Sequence, residues 1–220
     1  MEQNEKTCTF AGLEISPGIL TIKDGKPTFL ESFKENSYGK AFGINEGSTF
    51  FSLENIENLS DSIPDGWRLP TAKEWKRILT RKGDVRPGSM VNGYPFSHYA
   101  FMSVKFANTG KTVNALMIFP DGETIKGRYL YKTDAGHQTP GLTEKDVNEY
   151  ISQGAAVIYG LGHYDMLNGM WTENGLSGFY WSSGRLDEDD ATGAYFDENY
   201  LYGEDTNDAA KSFHPVILVR

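Results

Sequence analysis

The sequence predicts an α+β fold in which mixed, mostly antiparallel strands carry two short helices. Three observations lead there. Short apolar runs are separated by Pro, Gly and Asp turn signals. Two segments, at about 72–82 and 143–152, place apolar residues at helical spacing behind a capping residue. The chain also holds 24 Gly, 12 Tyr and 13 Phe among 220 residues, a composition of turns and packed rings rather than of a helical bundle.

Along residues 10–33, Leu13, Ile15, Ile19, Leu20 and Ile22 are punctuated by Pro17-Gly18 and by Lys23-Asp24-Gly25-Lys26-Pro27. Two or three short strands joined by tight turns are expected. Residues 34–62 are polar and rich in Gly and Asn, which reads as a long ordered connector. Pro64-Asp65-Gly66-Trp67-Arg68-Leu69-Pro70 then leads into Thr71 and Glu74, the spacing of a capping box. Trp75, Ile78 and Leu79 follow as one apolar stripe, and Gly83 ends the helix. Strands are expected over 101–106 and 113–119, the second closed by Pro120-Asp121-Gly122. Thr143 and Asp146 cap a second helix whose inner face is Val147, Tyr150 and Ile151, stopped by Gly154. The unbroken small apolar run 155–161 reads as a buried central strand, and 179–182, 194–196 and 216–219 complete the strands. No linker divides the chain: residues 1–220 read as one domain, with 1–62 supplying N-terminal strands and connector and 63–220 the core.

A net charge of −9 disfavours nucleic acid, whose binding depends on Lys and Arg displacing counterions, and anionic membrane surfaces. No stretch approaches the roughly 20 apolar residues of a membrane span, so no membrane insertion is expected. Cys8 is the single cysteine, which excludes an intrachain disulfide and a thiolate metal cage and reads as a buried thiol. The segment Met1–Lys6 lacks the basic start and apolar core of a signal peptide. An exported protein would therefore carry its leader upstream, and the alternative is a cytoplasmic one.

Gly66-Trp67-Arg68-Leu69-Pro70-Thr71 with Glu74-Trp75, then Gly178-Phe179-Tyr180-Trp181-Ser182-Ser183, then the terminal Pro215-Val216-Ile217-Leu218-Val219-Arg220 together resemble the signatures of FISUMP-type bacterial surface domains. Segments 13–25, 114–122 and 154–164 resemble further stretches of that family's gut-bacterial members. The resemblance implies a C-type-lectin-like fold with its termini paired, and an exported or cell-surface location. His214-Pro215 and Ile217 depart from the family pattern, which bears on local surface chemistry more than on the fold. Trp67, Trp75 and Trp181 read as core rings, and Arg68 and Arg220 as anchors where the terminal strands meet.

Enzymes known on this scaffold need late cysteines or a three-histidine site. Here no cysteine follows Cys8, and His98, His137, His163 and His214 are scattered. No nucleophile elbow, phosphate loop or HExxH motif occurs. The expectation is a non-catalytic ligand-binding or adhesion module for a protein or glycan. Its alternatives are an enzyme with an unrecognised site, using His137, His163 or the acidic loops, and a structural module of a surface assembly. No cofactor is expected. Calcium is the candidate left open by 186–190 and 203–208, which offer oxygen ligands without a calcium-loop pattern and read as solvated acidic loops.

In the lectin-like fold the late strands and loops commonly form the recognition face. The matching stretch, 184–211, contains Arg185, Asp187, Tyr195, Asp197, Asn199, Tyr200, Tyr202, Asp205 and Asn207. Tyrosine offers broad, stiff contact area, and Asn and Asp adaptable hydrogen bonds. The competing reading is that these tyrosines merely pack. Alternation puts Phe196 inward and Tyr195, Asp197 and Asn199 outward, since burying the latter carboxylate and amide would be costly. The same residue types suit diversification by a retroelement, as in the variable proteins that share this fold. The gene and a nearby template repeat would decide that.

Overall fold

The computed structural model describes residues 7–10, 12–30, 43–79, 99–107, 110–118, 120, 141–167, 170–172, 175–197 and 201–220. The N-terminal alternation folds as two hairpins. One is β1 (Cys8–Phe10) with β2 (Leu13–Ile15), the other β3 (Leu20–Lys23) with β4 (Lys26–Phe29). The second turns at Asp24 and Gly25, with φ of 52° and 70°. A two-residue hairpin turn needs positive φ at both positions to match strand twist. Cys8 is buried, its thiol pointing at the Ile118 carbonyl at 3.7 Å.

The described residues contain three short α-helices, one more than the two the sequence predicts. Helix α1 (Leu53–Leu59), continued by a 3-10 turn over Ser60–Ser62, lies inside the segment read as connector. Ser52 accepts from the Asn55 N–H at 3.2 Å, and the Asn55 side chain accepts from the Ser52 N–H at 3.3 Å. Leu53 and Ile56 are buried below. Helix α2 (Ala72–Leu79) starts where the capping box puts it. The Thr71 N–H donates to Glu74 at 2.8 Å, and the Glu74 N–H donates to the Thr71 hydroxyl at 3.2 Å. Arg68 adds a two-pronged bond to Glu74 at 2.8 and 2.7 Å. The sequence end point of 82 lies outside the described residues. Helix α3 (Glu144–Ser152) carries the Thr143–Asp146 box and stops before Gly154, which has φ 98°.

Strands β5 (Tyr99–Lys105), β6 (Thr112–Ile118), β7 (Gly141–Thr143) and β8 (Ala156–Tyr159) form one sheet in the order β7-β5-β6-β8. Its pairs are antiparallel except β5–β7. A small sheet joins β9 (His163–Asp165), β10 (Met170–Thr172) and β14 (Ser212–Phe213). The late sheet is the antiparallel run β11 (Gly178–Arg185), β12 (Asp190–Phe196) and β13 (Leu201–Asp208).

The late sheet separates two apolar clusters. On one side Tyr180, Ala194 and Phe196 pack with Trp75 and Ile78 of α2 and with β5, β6 and β8. On the other, Phe179, Trp181 and Ala191 pack with Leu20, Ile22, Leu53, Ile56, Val216 and Leu218. Trp75 and Trp181 are fully buried, and their indole N–H groups donate to the Trp181 and Phe51 carbonyls at 3.1 and 2.7 Å. Burying rings of this size contributes on the order of 2–3 kcal/mol each. Trp67, expected in the core, is instead half-buried: Phe29 meets it edge-on at 5.2 Å and the Arg220 guanidinium lies 4.6 Å above it.

The chain ends meet. Glu14 and Arg220 exchange backbone bonds of 2.9 and 3.0 Å and an ion pair, and Ile15 and Arg68 both bridge Val219. The predicted strand 216–219 is not a regular strand. It is an extended, buried segment whose bonds go to Leu20, Ser16, Arg68 and Glu14 in turn. It runs between hairpins rather than along one partner. His214 and Ile217, read as surface departures, are 0% and 2% exposed. They belong to the core.

Candidate recognition face

Five of the candidate residues, Arg185, Tyr195, Tyr202, Asp205 and Asn207, sit in strands. Register then decides which share a face. Tyr195 stands opposite Phe179 on β11 and Tyr202 on β13; Gly193 stands opposite Trp181 and Asp205; Ala191 stands opposite Arg185 and Asn207. Directly opposed residues of an antiparallel pair point to the same side. All three rows therefore lie on the Trp181 side of the sheet. Keeping Tyr202 and Asp205 on one side, three positions apart, requires the bulge recorded between Gly193 and Tyr195, with the extra residue on β13.

Two glycines make this possible. A Cβ on Gly193 would stand 2.4 Å from the Phe179 ring, so only glycine lets that ring lie across β12. A Cβ on Gly203 would stand 2.6 Å from the Lys76 backbone, so α2 presses directly on the reverse side of β13. Lys76 also pairs with Glu204. The helix thus backs the strand that presents Tyr202, Asp205 and Asn207.

Exposure rises from β11 to β13. Phe179 and Trp181 are buried, Tyr195 is half-buried against the same cluster, and Tyr202 is 49% exposed. Tyr195 was expected to face outward; it does so only in part, because the late sheet is covered on both sides at its middle. Its ring lies 6.4 Å from that of Tyr202, tilted by 32°, and its hydroxyl donates to Asp197 at 2.9 Å. Asp205 and Asn207 are half-exposed. Asp205 accepts from the Thr206 N–H at 3.0 Å.

The remaining candidates divide. Arg185 is committed to α1, with a two-pronged bond to Glu57 at 3.0 and 2.7 Å and a third to the Glu188 carbonyl at 3.2 Å. That pairing raises the pKa of its guanidinium above the ordinary arginine value. Asp187 accepts from the Asp189 and Asp190 N–H groups at 2.9 and 2.8 Å, so its carboxylate shapes the β11–β12 turn. Asn199 and Tyr200 lie outside the described residues. The structure therefore brings together Tyr195, Asp197, Tyr202, Asp205 and Asn207, and assigns Arg185 and Asp187 to architecture. Glu57, Gly193 and Gly203, which position the face, were not singled out from the sequence. Their role depends on register, which no local pattern displays.

The acidic segment 203–208 was read as a loop and is most of β13. Asp208, just before the turn into β14, accepts from the Ala210 and Lys211 N–H groups at 3.0 and 2.9 Å and from the Lys211 ammonium. Partial burial pushes its carboxyl up, but these donors outweigh that and hold it below the ordinary value. Among the described residues no group of three or more His, Cys, Asp or Glu stands together to hold a metal ion.

His163 and His214 form a second focus of polar chemistry. His98 and His137 lie outside the described residues. The His214 ring is fully buried, 4.1 Å from Phe179, 4.4 Å from Trp181 and 5.3 Å from His163. Neither of its nitrogens has a hydrogen-bond partner. Burial first, then the neighbouring His163, pushes its pKa well below the usual 6.5. In the fold the neutral ring serves as an aromatic packing element. No helix among the described residues is long and apolar enough to cross a membrane. Comparison of the chain with known families, curated proteins and solved structures finds no match.

Proposed function

We propose that this chain is a non-catalytic ligand-binding or adhesion module, exported or held at a cell surface, which recognises a protein or glycan through the outer half of its late sheet. The observation that carries this reading is the rigid, half-exposed row Tyr195–Tyr202 with Asp197, Asp205 and Asn207 beside it. Stiff aromatic rings give contact area at little entropic cost, and short polar side chains around them give hydrogen bonds. A face backed by a helix at van der Waals limits loses little further freedom on binding.

The scaffold behind it fits a C-type-lectin-like domain of the FISUMP kind. What supports this is the meeting of the three motif segments. The Ser183 N–H donates to the Pro70 carbonyl at 2.9 Å, Trp75 donates to Trp181, and Arg68 pairs with Val219. A surface location rests on that likeness and is tested by fractionating cells and probing intact ones with an antibody.

Glycan and protein arrays probed with the purified chain, with and without calcium, test the recognition reading. At least one class should bind, and Tyr202→Ala should weaken that binding about tenfold or more, in the range of an interface aromatic, without moving the melting temperature. Binding that survives Tyr202→Ala and Asp205→Ala together would remove the late sheet as the recognition face.

A further inference from the structure

Charge identifies the occupant of this face. Between Gly178 and Asp208 the sequence carries nine acidic residues and one arginine, while the rest of the chain holds 21 acidic and 20 basic residues. Nearly all of the net charge of −9 is therefore concentrated in the late sheet and its turns. The single arginine, Arg185, is spent on Glu57. Among the described residues, Lys76 and Lys211 each pair with one carboxylate of β13, Glu204 and Asp208.

We propose that the Tyr195–Tyr202 face binds a cationic, extended segment of a partner protein, with lysine or arginine side chains lying on the tyrosine rings and pairing with Asp205 and Asp197. This rests on the recognition reading above and narrows it to a protein ligand. The ring faces attract cations through their quadrupole, and carboxylates beside them add direct pairing. The chain uses the same chemistry within itself, where Arg220 lies 4.6 Å over Trp67 while bonding Glu14. A surface with this field steers basic partners in and repels acidic ones, so association must fall steeply with salt. Tyr202 is 49% exposed and Asp205 half-exposed, so both are accessible to such a segment.

The test titrates the full chain, by fluorescence anisotropy at low and at 300 mM salt, with labelled eight-residue peptides of alternating Lys-Gly, Glu-Gly and Ser-Gly, and runs neutral glycans alongside. The Lys-Gly peptide should bind at least tenfold more tightly than the other two and weaken at least fivefold at the higher salt. Tyr202→Ala and Asp205→Asn should each weaken it at least fivefold, whereas Glu149→Gln, on exposed α3, should leave it unchanged with all melting temperatures held. Equal loss from Glu149→Gln would reduce the effect to diffuse attraction and overturn the inference. A neutral glycan or Ser-Gly peptide that binds better, through Tyr202, would overturn the cationic partner while leaving the recognition face standing. If nothing binds here or on the arrays, both fail.

Discussion

His214 brings a buried imidazole into the middle of the second cluster, between Phe179 and Trp181, with neither nitrogen bonded. Its folded pKa lies well below its ordinary value of 6.5, through burial and then through His163. The unfolded chain therefore takes up a proton near pH 6.5 that the folded chain refuses. Stability from this residue is complete above 6.5 and is lost as pH falls from 6.5 toward the folded value. Within that window the slope approaches about 1.4 kcal/mol per pH unit, so each unit of acidification through it removes about that much. That is a large share of the roughly 5–15 kcal/mol that holds a typical domain together. His214→Phe keeps the ring contacts and removes two unpartnered nitrogens, each of which costs about 1–3 kcal/mol when buried. Urea unfolding at pH 7.5, 6.5, 5.5 and 5.0 reads the difference. The variant should be at least as stable as the parent at pH 7.5, and its loss below pH 6.5 should be shallower than the parent's by up to about 1.4 kcal/mol per pH unit. A variant with the parent's pH dependence, or one destabilised by more than about 2 kcal/mol at pH 7.5, would refute the reasoning, because the imidazole nitrogens would then have partners.

Glu74 titrates in a different window. The Arg68 guanidinium and the Thr71 donors outweigh burial and hold it at about 2, against an ordinary 4.5. Its contribution is present above 4.5 and lost as pH falls from there to about 2. Arg68 is half-exposed, which screens the pair, so Glu74→Gln should cost about 1 kcal/mol at pH 7 and flatten the acid limb below 4.5 in the same urea series. At the helix–sheet contact, Gly203→Ala would press a methyl against the Lys76 backbone at 2.6 Å. A loss of about 2–3 kcal/mol in thermal or urea unfolding is expected, with weaker ligand binding as β13 moves; an unchanged midpoint would mean that α2 does not rest on β13.

The helix starts were legible because their signals are local. Thr71–Glu74 and Thr143–Asp146 carry both halves of a capping box ahead of an apolar stripe. Helix α1 escaped because asparagine fills the role usually given to Glu or Gln, and because seven residues leave a short stripe of Leu53 and Ile56. Strand β13 escaped for the opposite reason. Its sequence, Leu201-Tyr202-Gly203-Glu204-Asp205-Thr206-Asn207-Asp208, shows no apolar alternation, since one side is presented outward and the other is closed by a helix resting on a glycine. The residue types of the recognition face were readable, but not which of them share a side. Bulges in β11 and β13 reset the two-residue period, and Arg185 and Asp187 look like ligand groups until Glu57 and the turn amides are seen to hold them. The terminal run 216–219 reads as a strand, but its partners change at each residue, which hydrophobicity alone does not encode.

Backbone hydrogen exchange, with and without a ligand taken from the arrays, tests the recognition face most directly. Added protection should fall on Tyr195–Phe196 of β12 and Tyr202–Asn207 of β13, and should vanish in Tyr202→Ala at the same ligand concentration. Protection confined elsewhere, at the exposed Met166–Leu167 turn or on α3, would place the ligand on another surface and contradict the account.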